Sequence, residues 1–276
     1  MTRRFRKILL AGMLLFTVLG SMLILVPSPA FANPPCGSTI LVSTTMTASI
    51  GPCPAGLKIG ANGIVLNCAG FTINGVAGAA VGIDLAGRTG VTVEQCNVSN
   101  FVNGFELTGG SNNILFHNTG LCNTAFDFYL SDTNLNTLAY NTASCPAAPI
   151  ANAGFYLTAA SNNVFISNTA DGIKGYGFYL VSSLTNRLLA NTANSNGIDG
   201  FYLTPASKNN GLISNTANNN HQYGYKDVSV GAGTKGTGNT YNSDICGPTA
   251  ATHDTLGGAI PPNVGVPPFL CTPQSP

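Results

Sequence analysis

Between residues 154 and 217 one pattern of apolar and polar positions occurs three times. Gly154-Phe155-Tyr156-Leu157 is followed by Ser161-Asn162-Asn163, a short apolar run and Asn168-Thr169-Ala170. Gly177-Phe178-Tyr179-Leu180 leads through Thr185-Asn186 to Asn191-Thr192-Ala193, and Gly200-Phe201-Tyr202-Leu203 leads through Asn209-Asn210 to Asn215-Thr216-Ala217. Followed in both directions, the first motif position falls on Gly60, Gly82, Gly104, Asp127, Gly154, Gly177, Gly200 and Gly224, at spacings of 22, 22, 23, 27, 23, 23 and 24 residues. The long interval carries Cys145 to Ile150, read as an inserted loop. A repeat of this length fixes the architecture. Each unit holds short strands and Asn/Gly/Ser turns without helical periodicity, which predicts the coils of a parallel β-helix stacked ~4.8 Å apart. One coil cannot bury its own apolar side, so stability comes from stacking.

Alternation within the tetrapeptide strand sorts the side chains. Ile83, Phe105, Phe128, Phe155, Phe178 and Phe201 form one inward column, and Leu85, Leu107, Leu130, Leu157, Leu180 and Leu203 a second. The residues between them point outward: Asp84, Glu106, Tyr129, Tyr156, Tyr179, Tyr202 and Lys226. In the next strand Leu115, Leu138, Phe165, Leu188 and Leu212 are inward, leaving Phe116, Ala139, Ile166, Leu189 and Ile213 outward. Asn118, Asn141, Asn168, Asn191 and Asn215 follow in strict phase and read as a ladder of stacked side-chain amides; turn propensity alone is the plainer alternative. Small Ala143, Ala170, Ala193 and Ala217 let the wall close after the bend.

The ends differ. Arg3 to Lys7, a mainly apolar run from Ile8 to Val26, and Ala30-Phe31-Ala32 read as a signal peptide over residues 1–32, an uncleaved anchor being the alternative. Residues 33–58 fall out of phase and read as an N-terminal cap, 59–247 as the β-helix, and 248–276 as an irregular Pro-rich tail expected to fold over the last coil or along a wall. The mature chain is then exported, to the medium or the cell surface, with no further membrane span.

Charge is sparse, at 8% of residues, and the formal +1 comes from the extreme N-terminus. Without Arg3, Arg4, Arg6 and Lys7, seven basic residues face ten acidic ones, a net of −3, and no basic patch suggests nucleic acid. Eight cysteines in an exported chain point to disulfides. Coil phase favours Cys122–Cys145 and Cys68–Cys96 between adjacent coils, Cys36–Cys53 at the start and Cys246–Cys271 at the tail. No CxxC or Cys/His cluster offers a metal site, and no metal or cofactor is expected.

The phase of Asn-Asn, apolar strand, Asn-Thr and Gly-Phe-Tyr-Leu, over about residues 34 to 247, resembles the right-handed parallel β-helix repeat proteins, including the pectin-lyase-like superfamily and the NosD-type proteins. The start, Cys36-Gly37-Ser38-Thr39-Ile40 with Gly51-Pro52-Cys53-Pro54 and Ile64-Val65-Leu66-Asn67, resembles exported bacterial members. The fold class expected is all-β, a single right-handed solenoid of about eight coils. Such a fold hosts lyases, hydrolases, epimerases and non-catalytic binders.

The resemblance implies specific needs: a carboxylate cluster with a basic residue for a lyase, several close Asp residues with His and Arg-x-Lys for a polygalacturonase-like hydrolase. Neither set is visible. Paired carboxylates for glycoside hydrolysis lie ~5–9.5 Å apart. The nearest approach is Asp84 with Glu106 in one outward column, Arg88 nearby, and Asp127 and Asp132 one coil on. The copper link of NosD-type proteins finds no support, since His117, His221 and His253 are scattered and Met46 is the only methionine past the signal segment. The tyrosines Tyr129, Tyr156, Tyr179 and Tyr202 are the stronger clue, because aromatic faces at one-coil spacing stack on sugar rings; packing between like neighbours is the competing explanation. The reading is an exported, non-catalytic binder of a polysaccharide, cell-wall component or cell-surface partner. The alternative is a polysaccharide lyase or glycoside hydrolase with its site on the Asp84–Asp132 wall.

Overall fold

The computed structural model describes residues 33–145, 152–246, 270 and 272–273. Residues 1–32, read above as a signal peptide, residues 146–151, which include most of the stretch read as an inserted loop, and most of the tail lie outside the described residues, as does Cys271.

Short parallel strands build three walls. One sheet has nine strands: Thr39–Ile40, Leu57–Ile59, Val81–Asp84, Asn103–Thr108, Phe126–Ser131, Ala153–Thr158, Tyr176–Val181, Asp199–Leu203 and Tyr223–Asp227. A second nine-stranded sheet runs from Thr44–Thr45 to Thr240–Asn242. The third wall runs from Ile50–Cys53 to Thr169–Asp171 and resumes with Thr216–Ala217 and Ile245–Cys246. Every strand pairs in parallel with its counterpart one coil on, so that Phe128 faces Phe155, Phe155 faces Phe178, and Phe178 faces Phe201. No helix among the described residues is long and apolar enough to cross a membrane.

The core follows from this register. Phe105, Phe128, Phe155, Phe178, Phe201 and Tyr225 stack almost parallel, with successive centroids 4.6–4.9 Å apart. Leu107, Leu130, Leu157, Leu180 and Leu203 form the adjoining buried column, and Leu115, Leu138, Phe165, Leu188 and Leu212 line the second wall. Burying each such side chain contributes about 1.5–3 kcal/mol. The outer residues of the second wall are less open than alternation alone predicts: Phe116, Ile166, Leu189 and Ile213 are partly exposed and Ala139 is buried.

Two asparagine ladders hold the bends. His117, Tyr140, Ser167, Ala190 and Ser214 each adopt positive φ, the left-handed conformation that turns the chain sharply. The asparagine that follows is buried in every case. Asn118 donates its backbone N–H and its Nδ2 to Oδ1 of Asn141, which donates likewise to Asn168, then Asn191, then Asn215, at 2.8–3.0 Å. The last step, from Asn215, ends on Oδ1 of Asp244. A parallel ladder one bend earlier runs through Asn113, Asn136, Asn163, Asn186, Asn210 and Asn239. The ladders satisfy the amides that the tight bends would otherwise strand in the interior.

Residues 33–58, out of phase in sequence, supply the first strand of all three walls. Thr39 pairs with Lys58, Thr44 with Leu66 and Ile50 with Ile73. Backbone pairing needs no motif, and an end coil has stacking neighbours on one side only, so its side chains are free of the repeat pattern. Disulfides join Cys36 to Cys53, Cys68 to Cys96 and Cys122 to Cys145, with Cα separations of 5.3, 4.6 and 4.5 Å. Cys246 is disulfide-bonded as well. Of the tail, Leu270 is buried and Thr272–Pro273 pairs beside Ile245–Cys246.

Candidate functional site

The outer face of the first sheet carries a continuous aromatic strip. Tyr129, Tyr156, Tyr179 and Tyr202 are direct neighbours in register, and all four are partly exposed. Their centroids are 5.7, 5.2 and 5.0 Å apart in sequence order.

A second outward column, which strand alternation conceals, widens the strip. In each motif the Gly and the following Phe are both buried, as Gly154 with Phe155 and Gly177 with Phe178. Alternation lapses there because the glycine presses on the alanine column: a Cβ on Gly177 would come 2.8 Å from Cβ of Ala193. The residue before the glycine therefore faces out alongside the tyrosine three positions later. Phe126 lies 4.2 Å from the Tyr156 ring, nearly parallel, and Tyr176 sits 4.6 Å from Tyr179 and 5.3 Å from Tyr202. The signal for this column was an aromatic just before the motif glycine position in every second coil, at Phe126, Tyr176 and Tyr223, with Ala153 and Asp199 in the coils between. Burial holds the Tyr176 and Tyr179 phenols above their ordinary pKa, so both remain O–H donors at neutral pH.

On the other side of the tyrosines runs a row of small side chains, in register as Thr108, Ser131, Thr158 and Val181, with Thr204 in the next coil. The strip ends on charge. Toward the N-terminus Glu106 pairs in register with Tyr129 and with Asp84, and Asp84 with Lys58. Lys58 and Asp84 also line a cleft of about 300 Å³. Toward the C-terminus the Lys226 ammonium stands 5.0 Å over Tyr202 and 5.4 Å over Tyr223. Asp199, the register partner of Tyr223, is fully buried; its Oδ1 accepts the Tyr223 N–H at 3.1 Å and its Oδ2 has no hydrogen-bond partner. Burial pushes its carboxyl up to about 6, against the pull of Lys226 and the Tyr223 amide.

The structure disperses the candidate acid–base residues. Asp84 and Glu106 do occupy adjacent coils of one outward column. Glu106 accepts from Asn103 at 2.8 Å and Thr108 at 3.2 Å, and Asp84 accepts the Ala86 N–H at 2.7 Å. Arg88 donates to the carbonyls of Ala86 and Gly60 rather than to a carboxylate. Asp132 is exposed on a turn, accepting from Ser131. Asp127, expected on the same wall, is turned inward because it fills the motif glycine position; it is fully buried, and burial raises its carboxyl to about 7 despite hydrogen bonds from Asn123. Met46 is buried in the core. No group of three His, Cys, Asp or Glu among the described residues is placed to hold a metal ion.

No curated protein sequence matches the chain. The structure is similar to that of the periplasmic alginate epimerase AlgG, at 15% identity and a TM-score of 0.52, over 70% of this chain and 47% of the epimerase; the chain thus spans about half that protein's length. A mutant of the same enzyme aligns at 14% identity and a TM-score of 0.55, over 84% of this chain and 68% of the other. Likeness at this identity is likeness of fold. The family described as right handed beta helix region matches residues 62–241, the stretch that carries the stacked phenylalanines, both asparagine ladders and the tyrosine strip, and the chain belongs to that right-handed β-helix family.

Proposed function

We propose that this is an exported, non-catalytic binding protein whose ligand is an extended polysaccharide lying along the tyrosine strip. The observation that carries the reading is the unbroken run of ring contacts from Phe126 to Tyr202 on one face of a flat wall. Aromatic rings at one-coil spacing offer a polymer successive apolar platforms with a phenol at each edge. The disulfides support passage through an oxidising compartment, in keeping with the signal segment read at residues 1–32. The inward turn of Asp127, the place of Asp132 on an exposed turn and the engagement of Arg88 with backbone carbonyls favour binding over a lyase or hydrolase on that wall.

The test is a Tyr156→Ser, Tyr179→Ser double variant. It leaves the Phe and Leu columns intact, so melting should change little while retention on polysaccharide affinity gels falls by about tenfold or more. Unchanged retention would make the strip a packing feature, and depolymerised glycan in the same gels would revive the enzyme reading.

A further inference from the structure

The strip is charged at its ends and uncharged along its length, and this bears on which polymer it takes. The tyrosine column continues at its N-terminal end into Glu106 and Asp84, two carboxylates on successive coils. Over the next four coils the three columns of this face hold Phe126, Ala153, Tyr176 and Asp199 on one side, Tyr129, Tyr156, Tyr179 and Tyr202 in the middle, and Ser131, Thr158, Val181 and Thr204 on the other, with Ala153, Asp199 and Ser131 buried among their neighbours. Apart from the phenols, the one ionisable group among them is the buried Asp199 carboxyl. On the flanking turns, exposed Asp132 and Lys208 follow strands on one edge of the sheet, and exposed Lys174 precedes a strand on the other. Lys226, the cation that touches the strip, is already engaged over two rings and lies within electrostatic reach of Asp199.

We infer that the polymer bound here is neutral: a chain of pyranose units bearing hydroxyls and no carboxylates. This rests on the platform reading above and deepens it. Coils repeat at ~4.8 Å, close to the length of one sugar unit, so each tyrosine meets about one ring. A polyuronate would bring one negative charge per coil to rings that carry none to answer it, where Lys226, the cation over the strip, is engaged on two rings, and its leading units would run into Glu106 and Asp84. A neutral chain meets what the wall offers: ring faces below, phenols at the edge, and the partly exposed hydroxyls of Thr108, Thr158 and Thr204 alongside. Hydroxyl-to-hydroxyl bonding and ring stacking need no counter-charge.

The experiment compares oligomers that differ only at carbon six. Cellohexaose and mannohexaose are titrated by calorimetry against the mature protein beside their carboxylated counterparts, the glucuronate and mannuronate hexamers. At low salt at least one neutral hexamer should bind about tenfold more tightly than its acidic partner, and the gap should narrow in about 0.5 M salt as repulsion is screened. An Asp84→Asn, Glu106→Gln variant should gain affinity for the acidic hexamers. If acidic and neutral partners bind equally, or the acidic ones more tightly, and the tyrosine double variant abolishes that binding, the platform stands and its neutrality is wrong. If no hexamer binds, the platform reading falls and this inference falls with it.

Discussion

Asn123 donates both its backbone N–H and its side-chain Nδ2 to a single oxygen, Oδ1 of Asp127, at 3.3 and 2.7 Å. The ladder asparagines from Asn118 to Asn191 and from Asn113 to Asn210 make this same pair of bonds to the asparagine one coil on, and Asn196 gives its backbone N–H to Asn220 at the corresponding bend. Asp127 takes the asparagine's place just where the repeat interval lengthens to 27 residues. It is therefore the terminus of a ladder, and its burial is the consequence.

That role has a pH signature. The folded chain holds the Asp127 proton up to about pH 7, whereas an unfolded chain releases it near pH 4. The folded state binds more protons between those limits, so this group's contribution to stability falls as pH rises from about 4 to 7 and stays low above. Asp127→Asn keeps an acceptor for Asn123 and removes the ionisation. The variant should melt higher than the parent at pH 8, by an amount on the order of 2–4 kcal/mol, and the difference should vanish near pH 4. A difference independent of pH would mean that the Asp127 carboxyl has the same pKa folded and unfolded, so that burial does not raise it.

Ladder polarity sets which positions accept a carboxylate. Asn168 accepts from Asn141 but also donates to the Leu138 carbonyl at 2.8 Å and to Asn191 at 3.0 Å. Asn168→Asp loses both donations and faces a carboxylate with two acceptors; Asn168→Leu strands partners on both sides. Each unsatisfied buried group costs about 1–3 kcal/mol, so both variants should lower the melting midpoint by several degrees. Asp244 only accepts, from Asn215 and Asn242. Near pH 4, where burial keeps the Asp244 carboxyl protonated, Asp244→Asn should stay within about 1 kcal/mol of the parent. Equal losses at the two positions would refute a directional ladder.

Room for Asp127 comes from across the coil. Where the later coils set Ala143, Ala170 and Ala193 against a motif glycine, this coil has Gly120 against Asp127, and a Cβ on Gly120 would collide with the Asp127 side chain. Gly120→Ala should destabilise by about 1–3 kcal/mol. Adding Asp127→Gly should recover part of that loss by restoring the alanine–glycine pairing; failure to recover any of it would show that Asp127 is needed for more than its volume.

Peptide mapping without reduction should return Cys36–Cys53 and a Cys246–Cys271 link. Serine at Cys36 should cost about 2–4 kcal/mol, measured as a drop in melting midpoint. Free thiol at Cys246 or Cys271 would leave the C-terminal end unstapled.

Much of the fold was legible because the repeat states one stacking problem again and again. Phe155, Phe178 and Phe201 share a phase, and parallel in-register stacking turns phase directly into a column. Asn141, Asn168 and Asn191 were readable as a ladder for the same reason. Three things were not. Alternation hid Phe126 and Tyr176, since it assumes an even pleat and the motif glycine lets two successive residues turn inward. Asp127 read as a surface acid, because nothing in a lone carboxylate tells a solvent role from a ladder terminus. The first coil, from Thr39 to Cys53, carries no motif and is defined by backbone pairing alone.

Each ladder asparagine bonds only to its immediate neighbours, and each tyrosine lies one coil from the next. Excising residues 154–176 would bring Asn141 against Asn191 and Phe128 against Phe178 in the contacts they already make with Asn168 and Phe155. In-frame duplication or loss of such a 23-residue segment would therefore leave the joints unaltered while adding or removing one rung of the central tyrosine column, here Tyr156, with Tyr176 beside it. The reach of the strip is set by copy number, a quantity that unequal crossing-over changes in one step without any point mutation.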